Sequence, residues 1–362
     1  MTASSSTSSL SAGLVLPTRV RPRPVAHDEL LALAERVDAG SGWGELWVPD
    51  SLLALPYLDS GVLLAALAAR TRRVRLGVGC LASLGFRHPV TVVRQWADLD
   101  ALSGGRVQLV ACPGNASGAA VERELAVFRL TYAEKVERFE EAVRFLREAG
   151  RGEITSFHGR LLDIDDLELV PGFVQRPFPI WLAANPSPTA GPVTLDRVLG
   201  RVATLADGWM TFNVTPQLLR TRLDRLRDLR AALRPDGDDG PGNFPVCVWL
   251  NANVARDGRA ARADAVARWG ETATRNVTAD DLTRIGAIGS PEEAADFVGR
   301  LWEAGATHLA VDCLSLDPVR QADTLTELLL PLLPGVRGPA EDQKLPGAGK
   351  PVGDGKPLEN RG

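Results

Sequence analysis

Asp50 is the carboxylate in this chain best placed for acid–base work. It follows the apolar run Glu45-Leu46-Trp47-Val48 by two residues, where a strand gives way to a loop. A carboxylate there can move a proton or orient a polar group of a ligand; capping a loop or helix is the other use of Asp in such a place. Ser51 beside it offers a hydroxyl that makes hydrogen bonds but does not carry a proton near neutral pH as a histidine does. His88 stands directly before Pro89, where a structural role at a helix start competes with a catalytic one. Asp50, Ser51 and His88 are the catalytic candidates. Cys80 and Cys112 each close an apolar run. Packing is the usual fate of such thiols, and thiol chemistry at a site is the alternative. Trp181, Trp209 and Trp249 end or enter three further runs, where indoles either exclude water from a reaction or fill a core.

The segment 74–114 shows how such side chains are brought together. Val74, Leu76 and Val78 alternate as a strand requires, and a loop follows at 82–87. Pro89 suits a first helical turn, and Val92, Val93, Trp96, Leu99 and Leu102 form one stripe of the helix that follows. Ser103-Gly104-Gly105 ends it, and residues 106–110 open the next strand with no room for a hairpin. Two strands joined through a helix are a parallel pair. The unit recurs: strand 11–17 with helix 28–38, strand 45–48 with helix 61–70, and helix 132–148 after the fourth strand. Strand 178–183 precedes helix 194–206, and strand 209–214 precedes helix 216–233, whose Arg/Asp/Glu face reads as solvated. Strand 245–254 follows, then a helix opened by the capping box Ser290-Pro291-Glu292-Glu293. Strand 307–313 and helix 318–332 close the series. Eight such units are the count of an α/β fold of the (β/α)8 TIM-barrel type. A doubly wound sheet is the other candidate, but Pro17-Thr18-Arg19 is not a Gly-rich dinucleotide turn. Irregular stretches interrupt the repeat after strand four (113–131), before strand five (150–177) and after strand seven (256–285, a possible lid). Barrel chemistry gathers at the C-terminal ends of the strands.

The 362 residues are 45% hydrophobic, enough for one large core, with a formal net charge of −4 and no basic stripe. Nucleic acid and anionic membranes are therefore not expected partners. Cys80, Cys112, Cys247 and Cys313 form no CxxC pair, and the histidines are scattered, so neither a disulfide framework nor a metal site is expected, and a reducing cytoplasm fits. Residues 1–11 are Ser/Thr-rich and lack the features of a signal peptide. Residues 335–362 are rich in Gly, Pro and charge and hold three of the four lysines; the fourth is Lys135. Both ends read as disordered, leaving 12–334 as the barrel.

Six motifs in order resemble the luciferase-like family of flavin-dependent oxidoreductases: residues 42–50, Arg87-His88-Pro89, residues 99–106, residues 175–181, Leu205-Ala206-Asp207-Gly208-Trp209 and residues 288–293. The resemblance spans about 14–334. It implies a barrel that holds FMN, or the deazaflavin coenzyme F420, across its C-terminal mouth. It further implies a cis peptide within 77–80 under the ring, making Gly79, Cys80 and Leu81 cofactor contacts. Phosphate contacts would come from Cys112, Gly114 and Asn115 after strand four and from Ala184, Asn185, Ser187 and Thr189 after strand five. Three departures stand out. Ser51 replaces a frequent histidine, Pro113 a phosphate-binding arginine, and Pro186 and Pro188 remove N–H donors. The resemblance implies first a monooxygenase that uses reduced FMN and O2 to oxygenate a small organic substrate, served by a separate flavin reductase. The alternative is an F420-dependent hydride-transfer enzyme, and a third reading is a barrel that has lost flavin binding. A homodimer is expected under each.

Overall fold

The computed structural model describes residues 10–152, 154–234, 244–271 and 277–336; residues 1–9 and 337–362, most of the two ends expected to be disordered, lie outside them. Eight strands, β1 (Ser11–Val15), β2 (Glu45–Val48), β3 (Arg75–Leu81), β4 (Val107–Ala111), β5 (Ile180–Ala183), β6 (Gly208–Phe212), β7 (Val246–Val254) and β8 (His308–Cys313), pair in parallel in chain order. The register of β8 on β1 (Gly13↔Ala310) closes the sheet into the expected barrel. No described helix is long and apolar enough to cross a membrane.

Around it lie α1 (His27–Asp38), α2 (Ser60–Arg70), α3 (Pro89–Ser103), α4 (Ala119–Phe128), α5 (Tyr132–Ala149), α6 (Pro192–Leu205) and α7 (Pro216–Leu233). They are followed by α8 (Gly258–Gly270), α9 (Ala279–Thr283), α10 (Pro291–Glu303) and α11 (Pro318–Thr324). The local signals act as read: proline opens α3, α6, α7, α10 and α11, and Ser290 and Glu293 form a complete capping box on α10. Two expectations about helix faces fail. Leu102 is 71% exposed, because α3 has turned it off the stripe that meets the barrel. The α7 face is not simply solvated: Arg222 and Arg230 are buried, and Arg230 stacks over the Phe244 ring at 3.9 Å. Arginine stems cover apolar surface readily where the guanidinium finds acceptors.

Inside the barrel, Trp47, Trp181, Met210 and Cys247 pack on one another, while a larger apolar layer joins the strands to the helices. Glu45 is buried within this interior and accepts hydrogen bonds from Trp47 Nε1 (2.9 Å) and Ser11 Oγ (3.0 Å). On the face opposite the strand C-termini, a hairpin (Ile154–His158 with Asp163–Glu168) links α5 to β5. A single carboxylate, Glu141, accepts the N–H groups of Arg160, Leu161 and Leu162 and fixes its turn. Asp100, buried in α3, likewise accepts from Val174 N and from Gln175 N and Nε2.

Candidate functional site

A cavity of about 1050 Å³ opens at the C-terminal ends of the strands. That is at the upper end of the size of small-molecule sites. Asp50 and Ser51 after β2, Gly79 and Cys80 of β3, residues 112–115 after β4 and residues 183–186 after β5 line it, and α4, α5 and α6 flank it. Phe212, Trp249 and Asp312 complete the wall from β6, β7 and β8.

The Gly79–Cys80 peptide is cis, as the resemblance implied for 77–80. Cys80 and Cys112 are joined as a disulfide with their Cα atoms 5.9 Å apart, which corrects the expectation of unpaired thiols. The pairing was invisible in sequence because the residues stand 32 apart; the parallel pairing of β3 with β4, which slips by one residue at Cys80, makes them neighbours. Leu81 is buried and packs into the outer apolar layer, away from the cavity. Trp181 and Trp209 pack within the core, Trp209 donating to the Ala184 carbonyl at 3.0 Å. Of the three tryptophans singled out, Trp249 reaches the cavity.

Asp50 lines the cavity and is also a tie. Its carboxylate accepts Ser60 Oγ (2.8 Å) and the Ser83 N–H (2.9 Å), joining the starts of α2 and of the loop after β3. Arg87 braces the same loop through Ser83 Oγ (2.9 Å) and pairs with Asp59 at 2.7 Å. Ser51 spends its oxygen on the Leu55 N–H. His88 is exposed at the start of α3 and is not on the cavity wall; within Arg87-His88-Pro89 it is Arg87 that connects to the site. Asn185 lines the cavity and is held by Thr211 Oγ1 (3.2 Å) and Arg222 Nη1 (2.8 Å). Arg222 also donates to the Pro186 carbonyl. Ser187 and Thr189 are exposed and hydrogen-bonded to each other at 2.9 Å, off the cavity wall.

Charged and polar groups that the sequence did not single out also line the site, among them Lys135, Asp312 and Tyr57. Lys135, on α5, is 2% exposed, yet its ammonium lies on the cavity side: a methyl group on Gly114 would stand 3.0 Å from Nζ. It lies over the Phe86 ring at 4.1 Å and makes no ion pair among the described residues. Burial pushes its pKa down, against the field of Glu124 and Asp50. Its one signal in sequence was to be the sole lysine of an otherwise arginine-using body. Asp312, at the end of β8, accepts from Trp249 Nε1 at 3.2 Å. Burial raises its pKa, opposed by that hydrogen bond and by Arg268 and Arg19. Tyr57, also on the wall, has its phenol pushed up by burial and by the nearby Asp312 charge. At Gly114 the backbone takes φ +74, which brings the loop after β4 close to Lys135 without a side chain between them.

A closed parallel barrel with a large cavity at its C-terminal mouth is a scaffold on which small-molecule sites are built at that end. The chain belongs to the luciferase-like monooxygenase family, whose model matches residues 10–308. A relative by sequence is the F420-dependent glucose-6-phosphate dehydrogenase of Amycolatopsis mediterranei (strain U-32), 29% identical over 162 residues, which are 42% of this chain and 45% of that one. The chain thus spans about half the length of such curated relatives or less. Two solved structures share the fold. An F420-dependent secondary alcohol dehydrogenase, in complex with an F420–acetone adduct, has a TM-score of 0.70 at 18% identity over 91% of this chain and 99% of that one. The oxygenating constituent of 3,6-diketocamphane monooxygenase from Pseudomonas putida, in complex with FMN, has 0.68 at 12% over 90% and 99%.

Proposed function

We propose that the chain is a two-electron oxidoreductase that takes an isoalloxazine-type cofactor, F420 or FMN, into the 1050 Å³ cavity and acts by hydride transfer on a small organic substrate. The observation that carries the reading is the pair of ionisable groups on the cavity wall, the buried Lys135 and the half-buried Asp312. Lys135 feels the Glu124 and Asp50 carboxylates but makes no direct ion pair with either, and an ammonium buried in that way gains from a ligand that brings its own negative charge, as a cofactor phosphate does. The donor set therefore fits such a cofactor: Lys135 would hold its phosphate, with Asn185 and the Gly114 backbone beside it. When bound, the cofactor supplies the acceptor or donor of two electrons as a hydride.

The residues of the chain handle the proton. Asp312 keeps its proton to higher pH than an ordinary carboxylate, and Trp249 fixes the direction of Oδ2. A carboxyl so placed can protonate the oxygen of a carbonyl substrate as it is reduced, and can accept that proton in the reverse direction. Asp50 holds the loop after β3 in place through Ser83. The sequence relatives named for F420-dependent dehydrogenation support this reading.

Oxygenation of a substrate with reduced FMN and O2 is the second reading. The apolar part of the wall favours it, where Phe212 and Trp249 stand with ring centroids 5.8 Å apart and can exclude water.

Anaerobic titration with F420, oxidised FMN and reduced FMN, followed by fluorescence, is the deciding experiment. Tight binding of F420 is expected. Preference for reduced FMN transfers the protein to the oxygenase reading, and binding of none of the three overturns both.

A further inference from the structure

Cys80 and Cys112 bring a second redox group to the same cavity. The two residues sit on neighbouring strand ends, both line the cavity, and their sulfurs are bonded. The other cysteines, Cys247 and Cys313, are free and buried. A bridge whose only purpose was to tie β3 to β4 gains little there, because the strands already pair on both sides of Cys80, at Gly79↔Val110 and Leu81↔Ala111, with Cys80 itself the one-residue irregularity between them. Its position is that of a reactant: Gly79, Cys80 and Cys112 form one patch of the wall, and the Lys135 ammonium lies against Gly114, two residues beyond Cys112. A nearby cation favours a thiolate as it leaves a breaking disulfide. Cys112 is only 8% exposed, Cys80 is half-buried, and both line the cavity, so the cavity is the route to the sulfurs.

We propose that Cys80 and Cys112 are a redox-active pair that cycles between disulfide and dithiol, reduced by a small two-electron donor that enters the cavity. The donor is a small dithiol or a reduced flavin-type cofactor. With a dithiol, its thiolate attacks one cysteine sulfur, the S–S bond breaks and a mixed disulfide forms. The other cysteine leaves as a thiolate and takes a proton from solvent. The second thiol of the reagent then displaces the first cysteine. The cystine has gained two electrons and two protons, and the reagent is released as a cyclic disulfide. A reduced flavin, when bound, would supply the same two electrons, with the two protons drawn from it and from solvent, and would be left oxidised. The proposal goes beyond the cofactor reading above, since the dithiol reaction needs no flavin.

The test counts thiols on the full chain by alkylation in denaturant and mass spectrometry. Air-equilibrated protein is expected to show two thiols, Cys247 and Cys313. Four are expected after the folded protein is treated anaerobically with dithiothreitol, and two again on reoxidation. Thioredoxin with its reductase is expected to leave two. Four thiols after treatment with photoreduced flavin, with matching appearance of oxidised flavin, assign the flavin as donor; four with the dithiol alone assign a thiol donor. Either supports the pair. Four thiols in air-equilibrated protein would overturn the proposal. So would a bridge that dithiothreitol opens only after unfolding, or one that thioredoxin reduces as readily as the small dithiol. Cys80→Ser should show three thiols throughout, and Cys112→Ser reports the same if the first variant does not fold. Failure of every flavin to bind sinks the cofactor reading and leaves the dithiol arm to decide this one.

Discussion

Lys135 and Asp312 are both pushed by burial toward their neutral forms, with different consequences for pH. Burial sets the Lys135 pKa below the ordinary 10.5. Below its folded value both states carry the proton, and the fold bears a constant desolvation cost. Between that value and 10.5 the unfolded chain binds more protons, so stability rises with pH. Lys135→Met is therefore expected to raise Tm at neutral pH without ligand. It should also abolish the thermal shift that phosphate or FMN gives the wild type, about 2.7 kcal/mol at a ligand concentration near 100 Kd. Differential scanning fluorimetry with and without ligand reads both effects. Asp312 has its folded pKa above 3.8, so its contribution is present at low pH and is lost as pH rises through the folded value. Asp312→Asn should equal the wild type in stability at acid pH and exceed it above the folded pKa. In the dehydrogenation direction it should lower kcat by about 10²- to 10⁴-fold and remove the rise of rate with pH, with cofactor affinity retained. Steady-state pH profiles check this. Neither residue could be picked from the sequence for these roles, since each owes its state to side chains that come from other strands and helices.

Between secondary-structure elements, carboxylates that accept several backbone N–H groups recur as fasteners. Glu141 on α5 holds the turn of the 154–168 hairpin through three of them, and Glu124 on α4 holds the loop after Ser51 through Leu53 N and Ala54 N. Glu141→Ala leaves those donors without their acceptor and should cost about 1–3 kcal/mol. New cleavage within 154–168 under limited proteolysis, with the barrel core still protected, is the expected result; unchanged cleavage would show that the hairpin does not depend on Glu141. The elements themselves were legible because their signals are local. Proline at the first helical position, the Ser290–Glu293 box and the alternation of Val74, Leu76 and Val78 act within a few residues. Helix faces were less legible. Leu102 and Arg222 are misassigned by periodicity alone, because the direction from which a neighbour approaches decides which side of a helix is covered.

For the molecule as a whole, barrel closure forces large side chains against backbone. The Trp47 ring lies so close to Gly77 that a β-carbon there would stand 2.3 Å from its carbons. Gly77→Ala should lower stability by about 1–3 kcal/mol or more through overpacking. Urea denaturation should show a lower midpoint with an unchanged slope, and Trp47→Phe in the same chain should recover part of the loss. The sequence by itself determined the eight-fold alternation of strand and helix, the parallel barrel that follows from it, and the strand ends that carry Asp50, Cys80 and Cys112 to the mouth. Each of these rests on short-range patterns and on the rule that a strand, a helix and a strand make a parallel crossover. Tertiary structure alone decided which candidates face the cavity. It left His88, Leu81, Ser187 and Thr189 outside and brought in Lys135, Tyr57 and Asp312. It also joined Cys80 to Cys112. Those outcomes depend on register across neighbouring strands and on burial, which exist only once the barrel has closed.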